Sequence, residues 1–189
     1  RDLLHERRLT RNEAIEWASG VLTALEFSHR AGVIHRDIKS ANIMITDAGQ
    51  VKVMDFGIAR AISDSSATQA HTSGIVGTAQ YFSPEQARGD AVDGRTDLYS
   101  TGVILYELLA GRPPFTGESA VSVAYQHVSE AAPAPSEFNS AVSPELDAVV
   151  LRAMSKDRDE RFQTAEDFRE HLLEAQAGTP MASTANTKK

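Results

Sequence analysis

Apolar side chains at Ile15, Ala18, Leu22 and Leu25 recur every three or four residues, the spacing of one helical stripe. Thr10-Arg11-Asn12-Glu13 precedes them with a hydroxyl at the cap and a carboxylate three residues on, the form of a capping box. The pattern predicts a helix from about Thr10 to Arg30, with Gly32 just past its end. Residues 1–8 read as a helix end or linker. After Val33-Ile34 and a polar stretch, Ile43-Met44-Ile45 and Val51-Lys52-Val53 flank a turn at Asp47-Ala48-Gly49 and read as a β-hairpin. Residues 57–83 are rich in Ser, Thr, Gly and Ala and hold no period; a loop of that length in a compact domain is usually functional or mobile.

From about Thr96 to Ala110 the pattern is apolar nearly all round, with Leu98, Val103, Ile104, Leu105, Leu108 and Leu109, which predicts a buried helix. Gly111 ends it and Pro113-Pro114 prevents continuation. Further helices are predicted at about 118–129, 144–154 and 164–176, with Ser143-Pro144 and Thr164 as caps, and 131–137 as a connector. The class is therefore mainly α (α+β): one helical domain over 1–176 with a small hairpin, then a small, polar stretch at 177–189 read as a disordered tail or linker.

Composition narrows the function. The 189 residues carry a net charge of −7, which argues against a nucleic-acid partner. There is no Cys, so disulfides and thiolate chemistry are excluded and a cytoplasmic setting fits. No run approaches the length of a spanning helix. The start at Arg1-Asp2-Leu3, with neither Met nor a signal pattern, reads as the middle of a longer protein.

The chemistry concentrates in 35–57, where Asp37, Lys39, Asn42 and Asp55 are interleaved with apolar residues. Two carboxylates, an amide and an ammonium suit metal-assisted phosphoryl transfer. One carboxylate can orient a hydroxyl and accept its proton. The other, with the amide oxygen, offers hard ligands for Mg²⁺, and the ammonium offsets phosphoryl charge.

His35-Arg36-Asp37, with Asn42 five residues past the Asp, resembles the catalytic loop of eukaryotic-like protein kinases, and Asp55-Phe56-Gly57 stands at the spacing of that family's magnesium motif. Ser83-Pro84-Glu85 stands where the family has Ala-Pro-Glu. Asp97 to Gly102 resembles the start of its central buried helix, and Arg161 the Arg that pairs with the Glu, here Glu85. The resemblance implies a protein kinase-like fold, represented by its helical C-terminal lobe and hairpin without the N-terminal β lobe. It implies transfer of the γ-phosphoryl group of ATP to protein Ser/Thr, with Mg²⁺ or Mn²⁺.

By that resemblance Asp37 would be the base, Lys39 would contact the γ-phosphate, and Asn42 and Asp55 would hold the metal. Met44 would lie beneath adenine, or equally be plain hairpin core. His35 and Phe56 would stack in the column that links the lobes, as packing and not as proton donors, and Asp97 would hold the catalytic-loop backbone from below. Ile38-Lys39-Ser40-Ala41 resembles Ser/Thr kinases, whereas Tyr kinases usually place Ala-Ala-Arg between the Asp and the Asn. Ser40 departs from the Pro common there, a change expected to cost rigidity and not chemistry.

Residues 55–85 then read as an activation segment. A phosphate on it would neutralise Arg36, with Arg60 as second ligand; Thr72 and then Thr68 are the best acceptors, and Thr78 would hydrogen-bond the base and shape the substrate pocket. Val51 to Ile62, Gly77 to Tyr81, Ser83 to Gly89 and Pro113 to Gly117 resemble actinobacterial membrane-anchored Ser/Thr kinases of the PknB type. That family implies a juxtamembrane linker beginning near 177, a membrane anchor and sensor in the parent, and dimers for trans-autophosphorylation. The Gly-rich phosphate loop, the strand Lys, its Glu partner and the adenine hinge belong to the N-lobe, so half a nucleotide site is expected here, with little turnover by these residues alone. The alternative reading is a catalytically inactive C-lobe acting as a binding or regulatory module; retention of Asp37, Lys39, Asn42 and Asp55 favours the kinase.

Overall fold

The computed structural model describes residues 9–56, 77 and 79–178. Helix α1 spans Arg11–Arg30; a 3₁₀ turn at Ser40–Asn42 leads into strands β1 (Ile43–Ile45) and β2 (Val51–Val53). Helices α2 (Pro84–Arg88), α3 (Gly94–Ala110), α4 (Ala120–Ser129), α5 (Pro144–Ala153) and α6 (Ala165–Gln176) come next, with a second 3₁₀ turn at Pro135–Glu137 before α5.

The ends obey local chemistry. Thr10 caps α1 with its hydroxyl on the Glu13 N–H while the Glu13 carboxylate accepts from the Thr10 N–H, a complete capping box. Asp93 caps α3 through the Arg95 N–H, so that helix begins at Gly94, two residues before the expected Thr96. Gly111 closes it at φ 73°, a left-handed turn that glycine adopts without strain. Residues 84–88, where the apolar pattern predicts no helix, form α2, with Ser83 and Gln86 in a capping box of their own. The strands pair antiparallel, Ile43 with Val53 and Ile45 with Val51.

The centre of the fold is α3, whose Leu98, Tyr99, Val103, Leu105 and Tyr106 are fully buried. Helix α1 packs on α3 and α6, and α5 on α3 and α6. Ile15, Leu22 and Leu25 of α1, Leu146 and Val149 of α5, and Phe168 and Leu172 of α6 complete one core. Phe162 stacks on Phe168 with centroids 4.7 Å apart. The hairpin rests on α1 at Gly20, where an added Cβ would collide with the Val51 side chain. That close approach sets the hairpin, which follows directly on residues 35–42, against the helical core. Among the described residues no helix is long and apolar enough to cross a membrane.

Candidate active site

The loop from His35 to Asn42 is held from α3. Asp97, in that helix's first turn and 1% exposed, accepts the His35 N–H at 2.8 Å on Oδ2 and the Arg36 N–H at 2.8 Å on Oδ1. His29 of α1 adds a third contact, Nε2 to Asp97 Oδ2 at 2.7 Å. A buried carboxylate with three donors around it is well satisfied and fixes the loop's entry. Arg36 sits at φ 67° and Asp55 at φ 54°. Left-handed backbone at a non-glycine residue costs roughly 1–3 kcal/mol and persists only where neighbours enforce it. At Arg36 they do so at both ends, for its carbonyl also accepts from Gln86 Nε2 at 2.8 Å.

His35, fully buried, knits the two motifs together. Its Nδ1 accepts the Asp37 N–H at 3.2 Å, so its Nε2 carries the proton and donates to the Met54 carbonyl at 2.9 Å. The ring lies against Phe56 with centroids 4.6 Å apart. Asn42 N–H donates to the Lys39 carbonyl and Met54 N–H to the Asn42 carbonyl, which brings β2's exit onto the 3₁₀ turn.

Within this frame, Lys39 Nζ lies 3.1 Å from Asp37 Oδ2. Asn42 Nδ2 donates to the same oxygen at 3.2 Å and to the Asp37 carbonyl at 2.8 Å. Among the described residues the cationic and the amide donor therefore both sit on one carboxylate oxygen. The Asn42 amide nitrogen is committed, so its oxygen is the end available to a cation. Asp55 is an exposed carboxylate just past β2. Met44 is 44% exposed, between the partly buried Ile43 and Ile45, and so is not hairpin core.

A second set of contacts fixes the chain entering α2. The Gln80 carbonyl accepts from His127 Nε2 at 2.9 Å and the Tyr81 carbonyl from Ser100 Oγ at 2.7 Å. Glu85 of α2 and Arg161 form a two-pronged buried pair at 2.7 and 2.8 Å.

The protein kinase domain family matches residues 1–173. This chain belongs to that family. A protein of Streptomyces coelicolor named as a probable serine/threonine-protein kinase is 56% identical over 186 residues, 98% of this chain and 28% of the relative. Serine/threonine-protein kinase PknB of Mycobacterium tuberculosis is 54% identical over 181 residues, 95% of this chain and 29% of the relative. A protein of Bifidobacterium longum named as a probable serine/threonine-protein kinase PknB is 57% identical over 168 residues, 88% and 24% respectively. The chain thus spans under a third of the length of these curated relatives. The kinase fold expected from the motifs is the fold of the family.

The expectations for Gly57, Arg60, Thr68, Thr72 and Thr78 lie outside the described residues, as do those for 1–8 and 179–189. The described residues add positions that the motifs do not reveal. His29 and His127 continue the apolar stripes of α1 and α4, four residues after Leu25 and Val123, where a titratable side chain is the signal of a buried polar contact. His127 Nδ1 accepts from the Tyr99 hydroxyl at 2.8 Å, and its ring meets Phe115 edge-on. Burial holds its pKa down at about 4 against an ordinary 6.5; the hydrogen bond to the Gln80 carbonyl opposes this only in part, and the Lys156 charge adds to it. A pKa lowered in the folded state means a contribution that is complete above pH 6.5 and is lost as pH falls through that value towards 4. The size is about 3 kcal/mol. Urea unfolding of His127→Gln should therefore show a stability curve flattened over that window relative to wild type; an unchanged acid limb would assign the loss to other groups.

Proposed function

We propose that this chain forms the acceptor and metal side of a serine/threonine phosphoryl-transfer site, with ATP as donor. The observation that carries the reading is the single shared oxygen of Asp37: Lys39 and Asn42 both sit on Oδ2, at 3.1 and 3.2 Å. Among the described residues that leaves Oδ1 for a substrate hydroxyl. In the transfer the Ser or Thr O–H bond breaks and its proton passes to Asp37, the oxygen forms a bond to the γ-phosphorus, and the bond from that phosphorus to the nucleoside diphosphate breaks. A positioned carboxylate acting as base contributes on the order of 10² to 10⁴-fold. Lys39 would neutralise charge on the transferred group.

The residues fit a magnesium or manganese ion. Among the described residues no three His, Asp or Glu side chains converge as a complete cage. Mg²⁺ at phosphoryl-transfer sites is characteristically held by one or two protein ligands together with substrate phosphates. Asn42 Oδ1 and the Asp55 carboxylate would hold it, and bound metal supplies charge neutralisation on the phosphate oxygens. Met44, exposed on the hairpin, would meet the adenine. Arg36, with Arg60 and a phosphate on Thr72 or Thr68, would order the segment that carries Thr78, in the cytoplasm and by trans-autophosphorylation between copies. The natural full-length protein with labelled ATP, Mg²⁺ and matched Ser, Thr and Tyr peptides tests this. Label should enter Ser and Thr, not Tyr, and vanish with a chelator; no transfer at all would favour a non-catalytic module.

A further inference from the structure

Ser40 stands directly after Lys39 in the catalytic loop, at the position where the family commonly has Pro. Its side chain is not idle. Ser40 Oγ lies 3.0 Å from the Tyr81 hydroxyl and donates to Glu107 Oε2 at 3.3 Å. The Tyr81 hydroxyl donates to the same Glu107 oxygen at 2.7 Å. The proton count closes: Tyr81 gives its one hydrogen to Glu107, and Ser40 shares its one hydrogen between the Tyr81 oxygen at 3.0 Å and the more distant Glu107 oxygen. Tyr81 remains a donor, because burial and then the Glu107 charge push its ionisation well above the ordinary tyrosine range.

The three residues come from three parts of the fold. Ser40 opens the 3₁₀ turn that carries Asn42, Glu107 lies in the last turns of α3, and Tyr81 belongs to the chain entering α2. The Tyr81 backbone is also tied to α3 through Ser100, and its neighbour Gln80 to α4 through His127. Residues 80–81 are therefore anchored to the helical core, and the Ser40 hydroxyl connects that anchored stretch to the residue beside Lys39.

We infer that Ser40 is a positioning residue, which couples the core-anchored stretch at Gln80-Tyr81 to the Asp37–Lys39 pair by way of Tyr81 and Glu107. The inference rests on the phosphoryl-transfer reading above. It replaces the expectation that a Ser in place of Pro merely loosens the loop: the stiffness that Pro supplies through its fixed φ is here supplied by a hydrogen bond that also senses where Tyr81 stands.

The test is a double-mutant cycle in the natural full-length protein, using Ser40→Ala, Tyr81→Phe and the double variant, with Ser40→Thr and Ser40→Pro alongside. Steady-state kinetics on a Ser/Thr peptide are read together with thermal midpoints. One net hydrogen bond corresponds to a loss on the order of fivefold. Ser40→Ala should lower kcat by about that factor, leave the KM for ATP unchanged and barely move the thermal midpoint. Ser40→Thr, which keeps the hydroxyl, should return kcat to near wild type. Ser40→Pro, which restores stiffness but not the contact with Tyr81, should remain below wild type. The double variant should be no slower than Tyr81→Phe alone, because the two changes break one connection. A wild-type rate that does not depend on Asp37 overturns both this inference and the reading beneath it. An Asp37-dependent wild type with strictly additive variants, or with Ser40→Pro as fast as wild type, overturns the positioning role alone.

Discussion

Asp37→Asn should lower kcat for peptide phosphorylation by roughly 10² to 10⁴-fold while leaving the thermal midpoint almost where it was. The two effects separate because of how the carboxylate is held. Oδ2 is engaged by Lys39 Nζ and Asn42 Nδ2, and the backbone N–H of Asp37 is engaged by His35 Nδ1. An asparagine can place its amide oxygen where Oδ2 stood and keep both donors satisfied. What it cannot do is take up a proton at the other position, where it presents an N–H to the incoming hydroxyl. The same substitution should leave nucleotide affinity within a few-fold, since Asp37 is not among the proposed metal ligands. Initial rates, nucleotide titration and thermal denaturation of one preparation check all three. A variant within tenfold of wild type would remove Asp37 from the role of base.

Local order in this fold is legible because its signals are local. Thr10 and Glu13, Gly111, Ser143 and Thr164 mark helix ends by short-range hydrogen bonds or by positive φ, and the apolar phases of Ile15 to Leu25 and Leu98 to Leu109 mark their faces. The residues proposed for phosphoryl transfer stand out for a related reason: Asp37, Lys39, Asn42 and Asp55 lie within one short stretch, so their spacing survives as a pattern. Helix α2 is hidden because five residues cannot display a period, although Ser83, Pro84 and Gln86 carry its cap chemistry. The Ser40–Tyr81–Glu107 and Gln80–His127–Tyr99 connections are hidden because each joins residues far apart in sequence, and only packing on α3 and α4 brings them together. Glu107 does leave one trace, as the one charge in the apolar stretch from Gly102 to Ala110, which reads as an interruption until Tyr81 supplies its partner.

Arg161→Ala should cost about 3–5 kcal/mol, the loss expected when one partner of a buried ion pair is removed and the other is left uncompensated. For a chain of this length that lowers the thermal midpoint by roughly 10 °C. Arg161 is 1% exposed and spends its guanidinium completely: two bonds to Glu85, one to the Ser155 carbonyl at 2.7 Å, one to the Lys156 carbonyl at 3.1 Å and one to the Arg95 carbonyl at 3.3 Å. Arg161→Lys keeps the charge but loses the planar fork, so it should recover only part of the loss. The pH dependence identifies the pair as the cause. Burial by itself would raise the Glu85 pKa, but hydrogen bonds from Arg161 and Thr96, with the Arg161 charge, override it and hold the carboxyl at about 2 against an ordinary 4.5. A carboxyl lowered in the folded state contributes stability that is complete above pH 4.5 and is lost as pH falls towards 2. In Arg161→Ala that contribution is gone, and a Glu85 buried without its partner takes up a proton more readily. The gap between wild type and variant should therefore be widest near neutral pH and narrow as pH falls through 4.5, as read by urea unfolding. A gap that stays constant or widens in acid would mean that Arg161 stabilises the fold through its three carbonyl contacts and its packing over the Tyr99 ring at 4.9 Å, and not through Glu85. The distinction matters for the site, because Glu85 lies four residues past Tyr81. If the ion pair is what anchors α2, then the hydrogen bonds that place Gln80 and Tyr81 beside the catalytic loop depend on a residue 76 positions beyond Glu85 in the chain.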